Sequence, residues 1–490
     1  MRRLGLAACL ALAPLAAVAQ QDDRDYLTAF LEDSLSGAGR HVVVTGFEGL
    51  LSARATVQEI TIADDQGIWL TLRGVTMDWS RSALLRGEIN VSELSADEIV
   101  VDRLPVSEAS TTAPEAGSFA LPDLPVSLRV DHVGAGLISL GPTILGTPVE
   151  AKLDASMSLA GGEGQASLTL LRTDDGPKGK VALTASFANA DQMLTIDLDA
   201  SEGADGIAAT LIGIPGTPAT SLTVKGAGPL TDFAADVALR TDGEDRLAGK
   251  VTLTGVETGG IGFGVDLAGD LAPLFLPDYA TFFGNNVQLA ATGTRHADGR
   301  LDLADLSLKA NAMNVQGSLA LSSDGLPQRF DLTAQIANPR GGSVLLPLTS
   351  DVETRLESAN VKLSFDSASD RGWKADIAVL GLDREDFQAR EVRLTGSGRI
   401  VRLMGARTVG GTFQFQAAGL APQDPDLARA IGDTVTGQAS MRWREGDGSF
   451  TVQSLSLAGA DYGATVSGHI AGLNDALSVT GKAEVTAQDL

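Results

Sequence analysis

The residues best suited to bind a transition metal or move a proton near neutral pH are four histidines, His41, His132, His296 and His469. A metal site legible in sequence sets its ligands a few positions apart, as in His-Glu-x-x-His, and these four stand far from one another without such partners. They read as strand or turn residues. The acid pairs Asp64-Asp65 and Asp174-Asp175 could supply a general acid and base, but each runs into a glycine, Gly67 or Gly176, which marks a turn. No Gly-x-Ser-x-Gly nucleophile elbow and no phosphate-binding Gly-x-x-x-x-Gly-Lys occurs, and Gly260-Ile261-Gly262-Phe263-Gly264 lacks the third glycine that a dinucleotide loop requires. The expectation is a protein that is not an enzyme and takes no cofactor or metal.

What the sequence does carry is a period of two. In Gln58 to Pro105 apolar residues alternate with polar ones at Ile60 and Ile62, at Ile68, Leu70 and Leu72, at Val75, Met77 and Trp79, and at Ile89 and Val91. Alternation of this kind makes strands with one apolar face. Asp64 to Gly67, Gly74 and Arg86-Gly87 are the expected reversals of a β-meander. The same style continues through Val181, Leu183, Ala185 and Phe187; Leu194, Ile196 and Leu198; Leu306 and Leu308; Phe413 and Phe415; and Leu455 and Leu457. The fold class expected is mostly β, an elongated, repetitive, curved antiparallel sheet with short amphipathic helices near the N-terminus and between repeats. Residues 119–490 should supply roughly 25 to 30 strands at the usual spacing.

Composition agrees with that class and removes others. Fifty-six glycines and only 4% aromatics among 490 residues favour a long all-β chain over a helix bundle. The net charge is -25 with Lys and Arg scattered singly, whereas a nucleic-acid partner requires clustered cations, so none is expected. Residues 1–19 have the plan of an export signal or short anchor, with Arg2 and Arg3, an apolar stretch from Leu4 to Leu15, and a small-residue cleavage site at Ala17-Val18-Ala19. Removing it removes Cys9, the only cysteine, so the exported chain would hold no disulfide.

Residues 20–105 then combine a helix with the meander. Tyr26, Leu27, Phe30, Leu31 and Leu35 fall on one helical face, which either caps the end of the sheet or lies on a membrane surface. Residues 106–118, rich in Ser, Thr, Ala and Pro, read as a linker. Within 119–490 there is an internal echo: residues 271–321 and 421–473 each offer a Pro-started helix candidate, a strand, an Asp-Gly turn, a Leu-Ser-Leu strand and a further strand.

The stretches YLTAFLEDSLSGAGR, WLTLRGVTMDWSRSALLRGEI and EIVVDRLP, followed by SEGADGIAATLIGIPGTPATSLTVKGAGPLTDF, resemble the TamB family of translocation and assembly module subunits within the AsmA-like, bridge-type lipid-transfer superfamily. The resemblance extends along nearly the whole chain without one sharp motif. It implies a periplasmic protein at the inner membrane of a Gram-negative bacterium, with phospholipid and outer-membrane protein clients such as autotransporters as partners, and roles in secretion and outer-membrane biogenesis. It also implies contact with the outer-membrane barrel TamA through a C-terminal region that would follow Leu490. On this reading Val181, Leu183, Phe187, Leu194, Ile196, Leu198, Leu306, Leu308, Phe413, Phe415, Leu455 and Leu457 line a β-groove for acyl chains. Alternation alone also fits a closed sandwich. Other readings are a β-augmentation scaffold for outer-membrane strands and a structural β-repeat.

Overall fold

The computed structural model describes residues 41–487 except 50–52, 106–119, 123, 257–259, 276, 349–351, 369–371, 404–405, 446–447 and 472–477. The signal, the helix expected over Tyr26 to Leu35 and nearly all of the linker lie outside the described residues. Strands account for 69% of the structure and helices for 8%, so the chain is mostly β. It divides into two compact units, one up to Glu244 and one from Asp245.

The first unit contains β1 (His41–Thr45), β2 (Arg54–Asp64), β3 (Gly67–Ser80), β4 (Glu88–Val101), β5 (Ser127–Leu140) and β6 (Val149–Ala160). It continues with β7 (Glu163–Arg172), β8 (Gly179–Ala188), β9 (Met193–Glu202), β10 (Thr220–Pro229) and β11 (Asp232–Thr241). Three short helices interrupt it: α1 (Arg81–Leu84), α2 (Pro142–Leu145) and α3 (Ile207–Ile212). Each strand pairs with the next, antiparallel in every case but β4 with β5, which are parallel.

The expected reversal at Asp64 to Gly67 forms: the Asp64 carboxylate accepts the Gln66 N–H at 2.8 Å, and Gly67 takes φ +106°, which a side chain would resist. The reversal expected at Gly74 does not. Gly74 lies inside β3, where its φ of +60° kinks the strand beneath Asp97, and an added Cβ would fall 2.1 Å from Asp97 Oδ2. A glycine in a strand serves close approach as readily as a turn. Arg86-Gly87 does end a reversal, but α1 forms part of it.

The second unit runs through β12 (Glu244–Gly255), β13 (Gly260–Gly269), β14 (Val287–His296), β15 (Leu301–Lys309), β16 (Met313–Leu321) and β17 (Pro327–Ala337). After a side ladder of β18 (Val344–Leu345) and β19 (Thr354–Leu356) come β20 (Ser358–Asp366), β21 (Gly372–Arg384), β22 (Phe387–Leu403) and β23 (Ala406–Ala418). It ends with β24 (Ala421–Pro422), β25 (Thr434–Arg444), β26 (Ser449–Ala458), β27 (Tyr462–Ala471) and β28 (Ser478–Ala487). Its helical pieces are two 3-10 turns at Ala272–Leu274 and Pro277–Tyr279, then α4 (Ala280–Phe283) and α5 (Pro425–Ile431). Pairing is antiparallel throughout, with β17 passing over the side ladder to meet β20. From Phe119 to Leu490 there are thus 24 described strands, β5 to β28, slightly fewer than expected.

The echoed stretches fold alike. Each places a helical segment before a strand, β14 or β25, and each second strand, β15 or β26, is bulged at the same point. Register shifts between Leu303 and Leu306 in one copy and between Val452 and Leu455 in the other. A bulge places an extra residue in one strand, so Leu303 and Leu306, three apart, return to the same face.

Candidate functional site

The candidate site is a face, and pairing register builds it. In the first unit Val133, Ala155, Leu168, Leu183, Leu198, Val224 and Val237 stand opposite one another in turn from β5 to β11. Beside that row runs a second, Ala135, Leu153, Leu170, Val181, Ala200, Leu222 and Leu239. Ile196 opposes Ala185 and Gly226, and Phe187 opposes Leu194. The six candidates of this unit therefore share one face. Asp197, Asp199 and Thr195 occupy the intervening positions, where Asp197 pairs with Lys225 at 3.1 Å on the polar side.

In the second unit a row runs Leu306, Gly317, Leu332, Leu363, Ala375, Gly396, Phe413, Ala439, Leu455 and Val466. Its neighbour runs Leu308, Val315, Ala334, Val361, Ile377, Leu394, Phe415, Gly437 and Leu457. The six candidates of this unit fall on these two rows.

Burial separates an open face from a closed one. The inner face of a sandwich is covered by its partner sheet, yet of the twelve candidates only Phe187 is buried and eleven are half-buried. Each is sheltered by neighbours on its own face, with an uncovered side left over. An apolar surface of this extent is unusual on a protein in water unless something occupies it.

The covering that exists is partial and lies at the strand ends: in the first unit Leu121, whose N–H donates to Asn189 Oδ1 at 2.8 Å, lies over Gly164 opposite Phe187 at one end, and helices lie at the other. In the first unit α2 follows β5 and α3 joins β9 to β10, both at the end marked by Leu140, Val149, Arg172 and Glu202. In the second unit Phe282 and Phe283 of α4 pack with Val344 of the side ladder onto Met313 and Ile336. Phe275 stacks on Phe283 with ring centroids 4.1 Å apart. Away from these rims aromatic rings lie over glycines of neighbouring strands, Trp373 of β21 reaching across Gly398 of β22 to Gly411 of β23 and Phe415 of β23 covering Gly437 of β25. A Cβ on Gly411 would sit 2.2 Å from the Trp373 ring, and one on Gly437 2.3 Å from Phe415. The missing side chains let the rings lie down, so the floor is filled locally while the space above it stays open.

The polar residues form no common centre. His132 lies 3.2 Å from Asp154, His296 2.7 Å from Asp302, and His469 2.9 Å from Thr451. Among the described residues no three His, Cys, Asp or Glu converge as metal ligands. Asp64 is forked by Arg103, one bond being 2.8 Å. Asp174 belongs to an ion cluster at the rim: Arg172 Nε donates to Asp174 at 2.9 Å and Arg172 Nη1 donates to Glu202 Oε1 at 2.9 Å. The Asp174 hydrogen bond, outweighing burial, raises the pKa of Arg172. Burial alone would push the Asp174 carboxyl upward, but Arg172 and the N–H groups of Glu150 and Gly176 more than offset it, leaving its pKa below the ordinary aspartate value.

Sequence reasoning missed α3. Its signal was Gly206 and Gly213 bracketing IAATLI, with Gly213 in the left-handed region at φ +73° as a helix C-cap. Six residues are too few to display a helical period. No family model, curated protein or solved structure matches this chain.

Proposed function

We propose that the chain is a non-enzymatic lipid conduit of envelope biogenesis whose apolar face takes the acyl chains of phospholipids while head groups stay at the open side. One observation carries this reading: apolar and glycine positions align across successive strands in each unit, and most of that face is left uncovered. A fully buried methylene contributes about 0.8 kcal/mol, and a half-covered one less. A chain on such a face is held yet can slide between equivalent rows. The resemblance to TamB supports placing it in the periplasm at the inner membrane, where it would carry phospholipid toward the outer membrane and support outer-membrane protein assembly and secretion.

A second reading is a β-augmentation scaffold, in which the backbone groups of a sheet edge accept a client strand.

The test is to purify the full chain without detergent and quantify bound phospholipid by mass spectrometry, with Ile196→Asp as the comparison. Lipid bound at one or more per chain, and reduced in a folded Ile196→Asp protein, is the expected result. A folded wild-type protein free of lipid overturns the conduit and leaves strand augmentation as the better reading.

A further inference from the structure

The rim of the first unit contains a cavity of about 440 Å³. Its floor is the second apolar row, with Leu170, Val181, Leu222 and Leu239, and Leu211 of α3 stands over it. Leu145 of α2 also lines it. Sites for small molecules begin at about 300 Å³, so the space suits one slender ligand and is too small for a folded partner.

Several features narrow the ligand. The lining is almost wholly apolar, so nothing there rewards a polar ligand. The Arg172 guanidinium at the edge is engaged by Asp174 and Glu202 and is not free to select an anion. The floor row lies directly beside the open row of Leu168, Leu183, Leu198 and Val224, so a hydrocarbon lying on the face can pass beneath the helix without crossing polar surface. Leu211 and Ile212 are 62% and 70% exposed, leaving apolar side chains outward on the roof.

The roof is also pinned. Glu202 accepts the Ala208 N–H at 2.8 Å in the first turn of α3 while its other oxygen holds Arg172, which ties the helix to the end of β7. A hydrocarbon here is covered from above and below, whereas on the open rows it is covered from below alone.

We infer, on the footing of the conduit reading, that the cavity beneath α3 is a holding site for a single lipid hydrocarbon chain, where a lipid dwells with its head group outside. Two sources share that chemistry, a phospholipid acyl chain and a free fatty acid.

The experiment incubates the full chain with vesicles of phosphatidylethanolamine and phosphatidylglycerol doped with a phosphatidylcholine carrying a diazirine near the end of one acyl chain. A parallel arm uses a diazirine-bearing fatty acid. After photolysis, adducts are mapped by peptide mass spectrometry. Adducts on the peptide spanning Ile207 to Ile214 and on β8 are expected. They should fall at least fivefold in Leu211→Asp, an exposed position that leaves the fold intact, and in Ala200→Phe, which fills the space from the floor. Adducts on β23 around Phe413 should persist in both variants.

Labelling of α3 by either probe, lost in both variants, supports the holding site, and the arm that labels identifies the source. Adducts on β8, β9 and β23 with none on α3, or α3 adducts indifferent to both variants, overturn the holding site and leave the conduit standing. Absence of adducts everywhere overturns both.

Discussion

Replacing Arg172 by alanine should release α3 from the sheet, and the size of the effect follows from the geometry. The side chains of Arg172, Asp174 and Glu202 are 11%, 18% and 13% exposed, so both ion pairs are largely shielded from water. Opposite charges 4 Å apart at an effective dielectric near 20 attract by about 4 kcal/mol before desolvation is subtracted. Truncating one partner of a buried pair typically costs about 3–5 kcal/mol because the other charge is stranded. Here the stranded groups have relief: Asp174 keeps the N–H groups of Glu150 at 2.9 Å and Gly176 at 2.7 Å, and Glu202 keeps that of Ala208.

The expected loss is therefore about 2–3 kcal/mol, below that range. Glu202→Gln removes one pair but keeps an oxygen for Ala208, and should cost about 1 kcal/mol. Hydrogen exchange at Thr210 and Ile214, whose N–H groups bond to Gly206 and Ala209, reports opening of the helix directly. At 1.4 kcal/mol per tenfold change, Arg172→Ala should lower their protection by about 30- to 140-fold. Unchanged protection with unchanged denaturant stability would refute the anchoring role of the cluster.

The same cluster fixes an acid limit: the folded Asp174 pKa lies below its unfolded value, so its stabilisation is complete above about pH 4 and is lost as pH falls through the folded value. Exchange at Thr210 followed downward from pH 6 should show α3 protected until pH drops below about 4. Gly411→Ala drives a methyl into the Trp373 ring and should destabilise the second unit by about 1–3 kcal/mol in urea unfolding, with a change in tryptophan fluorescence. The Asp424 carboxylate caps α5 by accepting the N–H groups of Asp426 at 2.8 Å and Leu427 at 3.1 Å. Asp424→Ala should cost about 1 kcal/mol, read as faster exchange in α5 alone.

The faces of the sheet were legible because period two is a local property. Leu183 and Leu198 declare their side in their own strands, and no knowledge of the partner is needed to place them together. What covers a face is not local, so half-burial of Leu183 and Ile196, which distinguishes an open sheet from a sandwich, could not be read from alternation. Gly74 misled because glycine serves turns and close approaches alike, and the Asp97 side chain that decides between them is 23 positions away. The bulge beyond Leu303 hid a face as well: spacing of three from Leu303 to Leu306 breaks the period that marks a strand, although pairing restores the side. Helix α5 was visible through its starting proline, whereas α3 has neither a proline start nor a polar cap.

The parallel junction of β4 with β5 has a consequence for the order in which the molecule folds. Most other successive strands join through short reversals, so their contacts are close in sequence and form early. Parallel strands cannot be joined that way. The chain leaving Val101 must travel back along a 14-residue strand, about 45 Å, before Ser127 can begin its ladder. The meander of β1 to β4 can assemble alone, and the strands from β5 onward can zip hairpin by hairpin, but the ladder between them waits on closure of a long loop. In refolding experiments it is the ladder to watch for a slow phase, and a loop shortened below that reach would leave two well-formed halves without the joint between them.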